Sequence, residues 1–283
     1  MNGFPQPLTV SCDGLDSAAA DLERGALASL PSRWLLSDNG TADVVAIDGC
    51  RAGWTSMVED AIQSGRRGAL VIEPGCADPG ALTELADHAA DEGCVVAVAS
   101  PYITDPAWDS ALPQVQSAIQ QMTLLESVIV APHRSPDALF GALLEQLGVV
   151  EMLLGSTGDW RAIHVSDSGY VLHGEKDAIA LSLCGTLSHL GRLEILLSGP
   201  AQRWAGEFVS ETIARPGIIS RHDSNGAATL PPIFEGGRRA TWLQLHRAIV
   251  GDDSNPTYSL NALAHVMRLA IQILGRSDGP AAR

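Results

Sequence analysis

The sequence contains almost no lysine and no cluster of positive charge. Lys176 is the single lysine, and 18 lysines and arginines stand against 33 aspartates and glutamates, which gives a formal net charge of −15. Nucleic-acid binding requires clustered basic side chains that displace counterions from phosphates. We therefore expect no nucleic-acid partner, and we interpret the acidic surface as one that keeps the protein in solution.

Cysteine is also scarce, and its spacing does not favour metal binding. The five cysteines include no CxxC pair, and free cysteines beside apolar strand segments behave as small hydrophobic residues. The odd number of cysteines and the lack of a signal peptide indicate a reduced, cytoplasmic environment. No apolar run approaches the ~20 residues that a membrane-spanning helix needs, so we expect no membrane association.

The clearest structural pattern is in residues 69–106. Residues 69–73 form an aliphatic, β-branched run that is typical of a buried parallel strand. Asp78 has the position of a helix N-cap and Pro79 that of the first helical residue, and apolar residues then recur at helical spacing. Residues 94–99 form a second apolar strand. The segment therefore predicts a βαβ crossover in a parallel sheet.

The chain before residue 106 alternates strands and helices, and the chain after it does not. The pattern predicts strands at 8–11, 33–36 and 43–48, and helices at 16–30 and 54–64. After residue 106 it predicts helices at 107–123 and 137–154, a strand at 127–131, and a series of short strands as in an antiparallel meander, at 161–165, 170–173, 178–183, 192–197 and 207–212. Residues 216–234 are predicted as loop, and helices at 240–250 and 259–274 end the pattern.

These elements define the fold class that the sequence predicts. We expect a truncated Rossmann-type parallel sheet in a first domain, residues 1–106. An α+β domain with an open antiparallel sheet follows in residues 107–283, and the C-terminal helix can pack back on the first domain.

Two segments resemble a known family. The first, VIEP…TELADHAADEGCVVAVAS…Y…DP, is similar to the last crossover of the nucleotide-binding domain in the glucose–fructose oxidoreductase and inositol dehydrogenase family. The lysine of that family's Glu-Lys-Pro turn falls on Glu73, and its proline falls on Pro74. The second, GRLEILLSGPAQRW (residues 191–204), resembles a Gly-x-Leu-x-Leu…Gly-Pro…Trp segment of the thiazolinyl imine reductases of nonribosomal siderophore assembly. The resemblance is closest to these reductases and extends over residues 8–274.

The sequence lacks the phosphate-binding fingerprint of this family. A dinucleotide site needs a strand that leads into a GxGxxG turn and a helix, whose amides hold the pyrophosphate. No GxGxxG is present, and residues 8–30 match the family's second strand, with Asp13 near the ribose site. The resemblance therefore implies that the first strand, phosphate loop and first helix are absent. It also implies that no cofactor binds, with an unusual NADPH site as the alternative.

The resemblance implies two candidate catalytic residues. Glu73 takes the place of an acid–base group, which is a lysine in the sugar enzymes and a histidine in the imine reductases. Burial can raise the pKa of a glutamate enough for it to transfer protons near neutral pH, but a solvated carboxylate left after catalysis was lost is the alternative. Tyr102 lies near the proton-donating tyrosine of the imine reductases, and its alternative role is packing.

Five further residues are candidates for substrate binding. Asp105 and Trp108 follow Tyr102, His133 precedes the helix at 137–154, and Trp204 lies in the second resembling segment, although a buried tryptophan usually fills a core. The Asp-x-x-x-His pair of the sugar dehydrogenases falls on Gly141 and Glu145. Its loss excludes polyol oxidation, and Glu145 stays a substrate-binding candidate. With no nearby cysteine or paired carboxylate, the histidines do not predict a metal site.

Three functions remain open from the sequence. The first is proton transfer without a cofactor (isomerisation, epimerisation or cyclisation) on a thiazoline or imine intermediate, either free or carrier-bound. The second is a non-catalytic partner, a pseudoenzyme that forms a homodimer or heteromer through its open sheet with a reductase or an assembly-line enzyme. The third is an NAD(P)H-dependent imine reductase with an unusual cofactor site.

Overall fold

The chain forms two compact units. The computed structural model describes residues 7–37, 41–132, 137–155, 158–209, 215–251 and 256–275. Within these, the first unit comprises residues 7–100 and 238–265, and the second comprises 101–237 and 266–275. The first segment of the first unit thus ends at residue 100, where the sequence predicts 106, and one later described segment, residues 238–265, also belongs to this unit.

The first unit is built on a five-stranded parallel sheet with the order β2-β1-β3-β4-β5. The strands are β1 (Leu8–Ser11), β2 (Trp34–Leu36), β3 (Val44–Asp48), β4 (Gly68–Ile72) and β5 (Val95–Ala99). Helices α1 (Ser17–Ala28), α2 (Trp54–Gln63) and α3 (Pro79–Asp91) connect them. All five residues of β4 are buried, as in a strand covered on both faces. The predicted Rossmann-like fold is confirmed.

The predicted crossover forms because its local signals agree. The carboxylate of Asp78 accepts a hydrogen bond from the Gly80 amide, and Pro79 occupies the first turn of α3, where no amide hydrogen is needed. The apolar side of α3, formed by Leu82, Leu85 and Ala89, is buried. This part of the first unit follows directly from the sequence pattern.

The second unit contains an eight-stranded sheet with the order β13-β12-β11-β10-β6-β9-β8-β7. Its strands are β6 (Leu124–Pro132), β7 (Asp159–Ser166), β8 (Gly169–Lys176), β9 (Ile179–Ser188), β10 (Arg192–Ser198), β11 (Gln202–Val209), β12 (Ile218–Asp223) and β13 (Gly226–Thr229). Its helices include α4 (Ala107–Ala118) and α5 (Ala138–Leu154). Late in the chain, α6 (Gly237–Val250) and α7 (Leu260–Leu274) follow.

The second sheet differs from the prediction in two respects. It is mixed rather than antiparallel, because β6 is inserted between the two meanders and pairs with β9 in parallel. In addition, residues 216–234 are not only loop, since β12 and β13 form a hairpin there. The hairpin was missed because its second strand, Gly226–Thr229, is short and has no large apolar residue, but the Asn225-Gly226 dipeptide at the turn is a hairpin signal.

The helix predicted at 107–123 is shorter in the structure. It ends as α4 at Ala118, and a 3-10 turn (Ile119–Gln121) continues it. At the end of the chain, the amide of Ala262 bonds to the Ser259 hydroxyl at 3.4 Å, so the predicted cap of α7 is present. The described helices include none that is long and apolar enough to cross a bilayer.

Candidate functional site

The first candidate site is the carboxyl edge of the parallel sheet. Open α/β sheets bind ligands outside the carboxyl ends of their strands, at the point where the strand order reverses. Here that point lies between β1 and β3, because β2 lies to one side of β1 and β3 to the other. The residues that follow these strands are Asp13 after β1, Gly49 and Cys50 after β3, and Glu73 after β4.

Glu73 is held in an unfavourable backbone conformation at this edge. Its φ of 49° lies in the left-handed region, although it is not a glycine. The neighbouring loop fixes this geometry: Gly49 donates to the Ile72 carbonyl at 2.7 Å and accepts from the Gly75 amide at 2.9 Å. A Cβ on Gly49 would lie 2.6 Å from the Pro74 Cα, so only glycine fits there. Strain of this kind often marks a functional site.

The side chain of Glu73 is exposed and lies beside a thiol. The Cys50 thiol lies 3.3 Å from the Glu73 carbonyl oxygen and 3.8 Å from a carboxylate oxygen of the same residue. The burial on which the acid–base interpretation of Glu73 depended is therefore not found. Cys50 is exposed as well. Sequence reasoning passed over it because a cysteine after an apolar strand carries no motif.

Replacing Glu73 by glycine is expected to stabilise the protein. Glycine adopts a positive φ without strain, so Glu73→Gly should raise the free energy of unfolding by about 1 kcal/mol. Glu73→Ala keeps the strain and removes only the carboxylate, which makes it the matched control. Urea unfolding of both variants measures the difference. Equal midpoints would show that the position stores no strain.

The β1–α1 turn tests whether the site fits a dinucleotide. Because β1 lies between β2 and β3, the strand, turn and helix occupy the topological place of a phosphate-binding unit. Removing the first strand from the order 3-2-1-4-5-6 of a complete Rossmann sheet leaves the same five-stranded order, so the expectation that the family's first strand, phosphate loop and first helix are absent stays a prediction. β1 pairs with both β2 and β3, as the first strand of a doubly wound sheet does and as the second strand does when the first is absent.

The turn does not fit a pyrophosphate. Asp16 accepts the amide of Ala19 at 2.7 Å, so its own carboxylate takes a helix N-terminal donor that an anion would use. Asp13 adds a second exposed carboxylate, which accepts the Ser11 hydroxyl at 2.9 Å. A Cβ on Gly14 would lie 3.3 Å from the Met57 methyl group, so this glycine serves close packing. Two carboxylates stand where phosphate charge would lie.

The second candidate site is in the second unit, where residues 101–108 lead into α4. Tyr102 is buried, and its carbonyl accepts the indole N–H of Trp108 at 2.9 Å. The ring of Trp108 stacks on Phe208 of β11, with centroids 4.9 Å apart. Asp105 is half-buried, and one carboxylate oxygen accepts the Ala107 amide at 2.8 Å. The structure therefore brings Tyr102, Asp105 and Trp108 together.

Trp204 and Glu145 do not belong to this group. Trp204 lies four residues before Phe208 on β11, which at the rise of a strand is a distance of about 13 Å. It is buried, and the Arg221 guanidinium lies 5.8 Å from its ring. Glu145 is half-buried on α5. The neighbouring Gln146 contacts β6, β8 and β9, which are on the other side of β10 from β11.

The remaining candidates give no site. His133 lies outside the described residues, and Glu73 belongs to the first unit while the other candidates belong to the second. Among the described residues, no group of three or more histidine, cysteine, aspartate or glutamate side chains is placed to hold a metal ion. His164 pairs with Val171, which lies two residues before His173 on β8, so the two histidines share one face of the second sheet. Among the described residues they are not part of a larger group of possible metal ligands.

Comparison with known proteins supports the fold of an oxidoreductase. Searches of family descriptions and of curated proteins find no match to the sequence. Among solved structures, UDP-N-acetylglucosamine 3-dehydrogenase GnnA from Acidithiobacillus ferrooxidans is similar with a TM-score of 0.75 and 12% identity, over 96% of this chain and 98% of that one. An oxidoreductase from Pseudomonas syringae is similar with a TM-score of 0.74 and 13% identity, over 95% and 96%.

The chain therefore has the two-part fold of these oxidoreductases. The YPO2259 protein from Yersinia pestis is also similar, with a TM-score of 0.75 and 14% identity, and the match covers 100% of both chains. At such low identity the likeness shows the fold.

Proposed function

We propose that this protein is an enzyme of oxidoreductase fold that has lost dinucleotide binding and performs acid–base chemistry on a thiazoline or imine ring. The substrate class comes from the resemblance to the thiazolinyl imine reductases. The reaction is a proton transfer that isomerises, epimerises or closes such a ring in a small-molecule or carrier-bound intermediate. Glu73 and Tyr102 are the candidate acid and base that the resemblance supplies.

The observation that carries this proposal is the acidic β1–α1 turn. Asp13 and Asp16 are both exposed there, and the Asp16 carboxylate already occupies the Ala19 amide. A pyrophosphate bound at the same turn would bring further negative charge beside these two carboxylates, in a chain whose net charge is −15. Oxidoreductase chemistry with a nicotinamide needs such a turn to hold the cofactor. Proton transfer does not.

We expect the protein to bind neither NADPH nor NADH in solution. With six tryptophans as reporters, fluorescence titration should show no saturable quenching up to about 1 mM, which corresponds to a binding free energy of about −4 kcal/mol. The variant Asp13→Ala/Asp16→Ser removes both carboxylates and keeps a side chain that caps α1, so it is the matched comparison. Saturable quenching of the wild-type protein would instead favour an NADPH-dependent imine reductase.

A second candidate function is that of a non-catalytic partner. One face of the second sheet carries a row of side chains from five adjacent strands, namely Glu194, Val128, Cys184, Val171 and His164. In this row, Val128 is 39% exposed. Apolar groups on an open sheet face are typical of protein-interaction surfaces. This surface supports pairing with a second copy, with a full-length reductase or with an assembly-line enzyme.

A further inference from the structure

We propose that Asp105 is a catalytic residue of the second unit, the carboxyl group that takes and returns the substrate proton. This inference rests on the proposed acid–base function and names a group for it that the family resemblance does not supply. Glu73 is exposed, and Tyr102 is 6% exposed. Asp105 differs from both, because it is half-buried and one of its carboxylate oxygens is held by a backbone amide.

The packing around Asp105 is specific. Its Oδ1 accepts the Ala107 amide at 2.8 Å, which fixes the carboxyl group at the start of α4. On the other side, a Cβ on Gly217 would lie 2.8 Å from the same Oδ1 and 2.7 Å from the Phe208 ring. The backbone that leads into β12 thus approaches the carboxylate closely, and it does so only because residue 217 is a glycine.

The surroundings of Asp105 are largely apolar. Trp108 and Phe208, stacked on each other and buried, form the adjoining wall. The charged groups near by do not neutralise the carboxylate: Asp109 is a second negative charge on the first turn of α4, and Arg215, which precedes Gly217, is paired with Glu207 at 3.1 Å. The Asp105 carboxylate is therefore poorly solvated, and neither Asp109 nor Arg215 gives it a cationic partner.

The consequence is a carboxyl group that can exchange protons near neutral pH. Burial raises the pKa of Asp105 to about 6, against an opposing effect of the Ala107 hydrogen bond and with a further increase from Asp109. A general acid–base group is most effective when its pKa lies near the working pH. An aspartate needed only to accept the Ala107 amide before α4 would be served equally well by asparagine.

The proposed step is balanced without an oxidant or a reductant. The Asp105 carboxylate removes the proton from the ring carbon next to the C=N nitrogen. The electron pair of that C–H bond delocalises over the adjacent C=N group of the substrate. Water then protonates the same carbon from the opposite face, and the Asp105 acid gives its proton to the hydroxide that is left, or the acid itself protonates another ring atom. The first outcome is epimerisation and the second is isomerisation.

The test uses 2-methyl-2-thiazoline-4-carboxylate as the probe, with exchange of its C4 proton in deuterated water followed by NMR. Asp105→Asn should lower the exchange rate about 100-fold or more, the usual loss when a general base is removed. Asp159→Asn, which makes the same change at an exposed carboxylate on β7 of the same unit, is the control and should retain the rate. The limb of the wild-type pH profile near about pH 6 should vanish in Asp105→Asn.

Thermal unfolding gives a second measurement, which reports the environment of the Asp105 carboxyl group independently of the exchange rate. Because the pKa of Asp105 is raised in the folded chain, its ionisation lowers stability as pH rises from its ordinary value of 3.8 through about 6. Asparagine does not ionise. Asp105→Asn should therefore match the wild-type Tm near about pH 4 and exceed it by about 2–4 °C above pH 7.

The outcomes separate this inference from the proposed function. If Asp105→Asn exchanges the proton at the wild-type rate, the role of Asp105 is overturned, and the proposed acid–base function still stands. A Tm difference that does not change with pH also overturns it, because the carboxyl group would then lack the required environment. No exchange by the wild-type protein overturns both. Exchange lost in Asp105→Asn alone, with the pH-dependent gain in Tm, supports the inference.

Discussion

Replacing Arg238 by methionine is expected to destabilise the first unit by about 3–5 kcal/mol, because it leaves a buried carboxylate without its cation. Glu23 of α1 is fully buried, at 0% exposure, and forms an ion pair with Arg238 of α6. Its second oxygen accepts the indole N–H of Trp242 at 2.6 Å. Burial lowers the pKa of Arg238 to about 10, so the guanidinium remains charged at neutral pH.

The control for this prediction replaces both charges. Glu23→Gln/Arg238→Met keeps an oxygen acceptor for Trp242 and leaves no unpaired charge, so it should lose less stability than Arg238→Met alone. The pH dependence adds a second check. Without Arg238 the pKa of Glu23 must rise, so the single variant should recover stability near about pH 5 and lose it as pH increases. Equal losses in the single and double variants at every pH would contradict the prediction.

The first unit was largely predictable, because its strands and helices follow local signals. The run Val71-Ile72 and the Asp78-Pro79 start of α3 suffice to predict the crossover, and the structure contains it. The position of β1 was not predictable in the same way. Strand order depends on contacts between distant residues, and periodicity does not report them. The match of residues 8–30 to a second strand therefore stays a prediction, although the strand itself was correctly placed.

The second unit shows a different limit. The short meander strands were anticipated, but β6 joins β9 in parallel across a long connection, and no turn motif marks such a pairing. The candidate residues show the same limit. Tyr102, Asp105 and Trp108 are close in sequence and are brought together by one turn and α4. The burial of Asp105 depends on Gly217 and Phe208, which lie more than a hundred residues later in the chain.

Replacing Gln146 by leucine is expected to destabilise the second unit by about 3 kcal/mol, because it strands buried polar groups. The Gln146 amide nitrogen donates to the Ser127 hydroxyl at 2.9 Å and to the Cys184 carbonyl at 3.2 Å. Its oxygen accepts the Tyr170 hydroxyl at 2.7 Å. A Cβ on Gly185 would lie 2.2 Å from the Tyr170 ring, so the ring lies directly against this backbone.

Within the described part of the chain, the Tyr170 hydroxyl has no hydrogen-bond partner other than Gln146. Tyr170 is 2% exposed, and burial raises the pKa of its hydroxyl well above the ordinary value, so it stays a neutral donor. Removing the Ser127 and Tyr170 hydroxyls together with Gln146 should restore stability in part, because apolar groups of similar shape then replace the network and only the Cys184 carbonyl loses its side-chain partner. We therefore expect Ser127→Ala/Gln146→Leu/Tyr170→Phe to unfold in urea closer to the wild-type protein than Gln146→Leu does. If the triple variant is the less stable of the two, the loss comes from packing and not from unsatisfied hydrogen bonds.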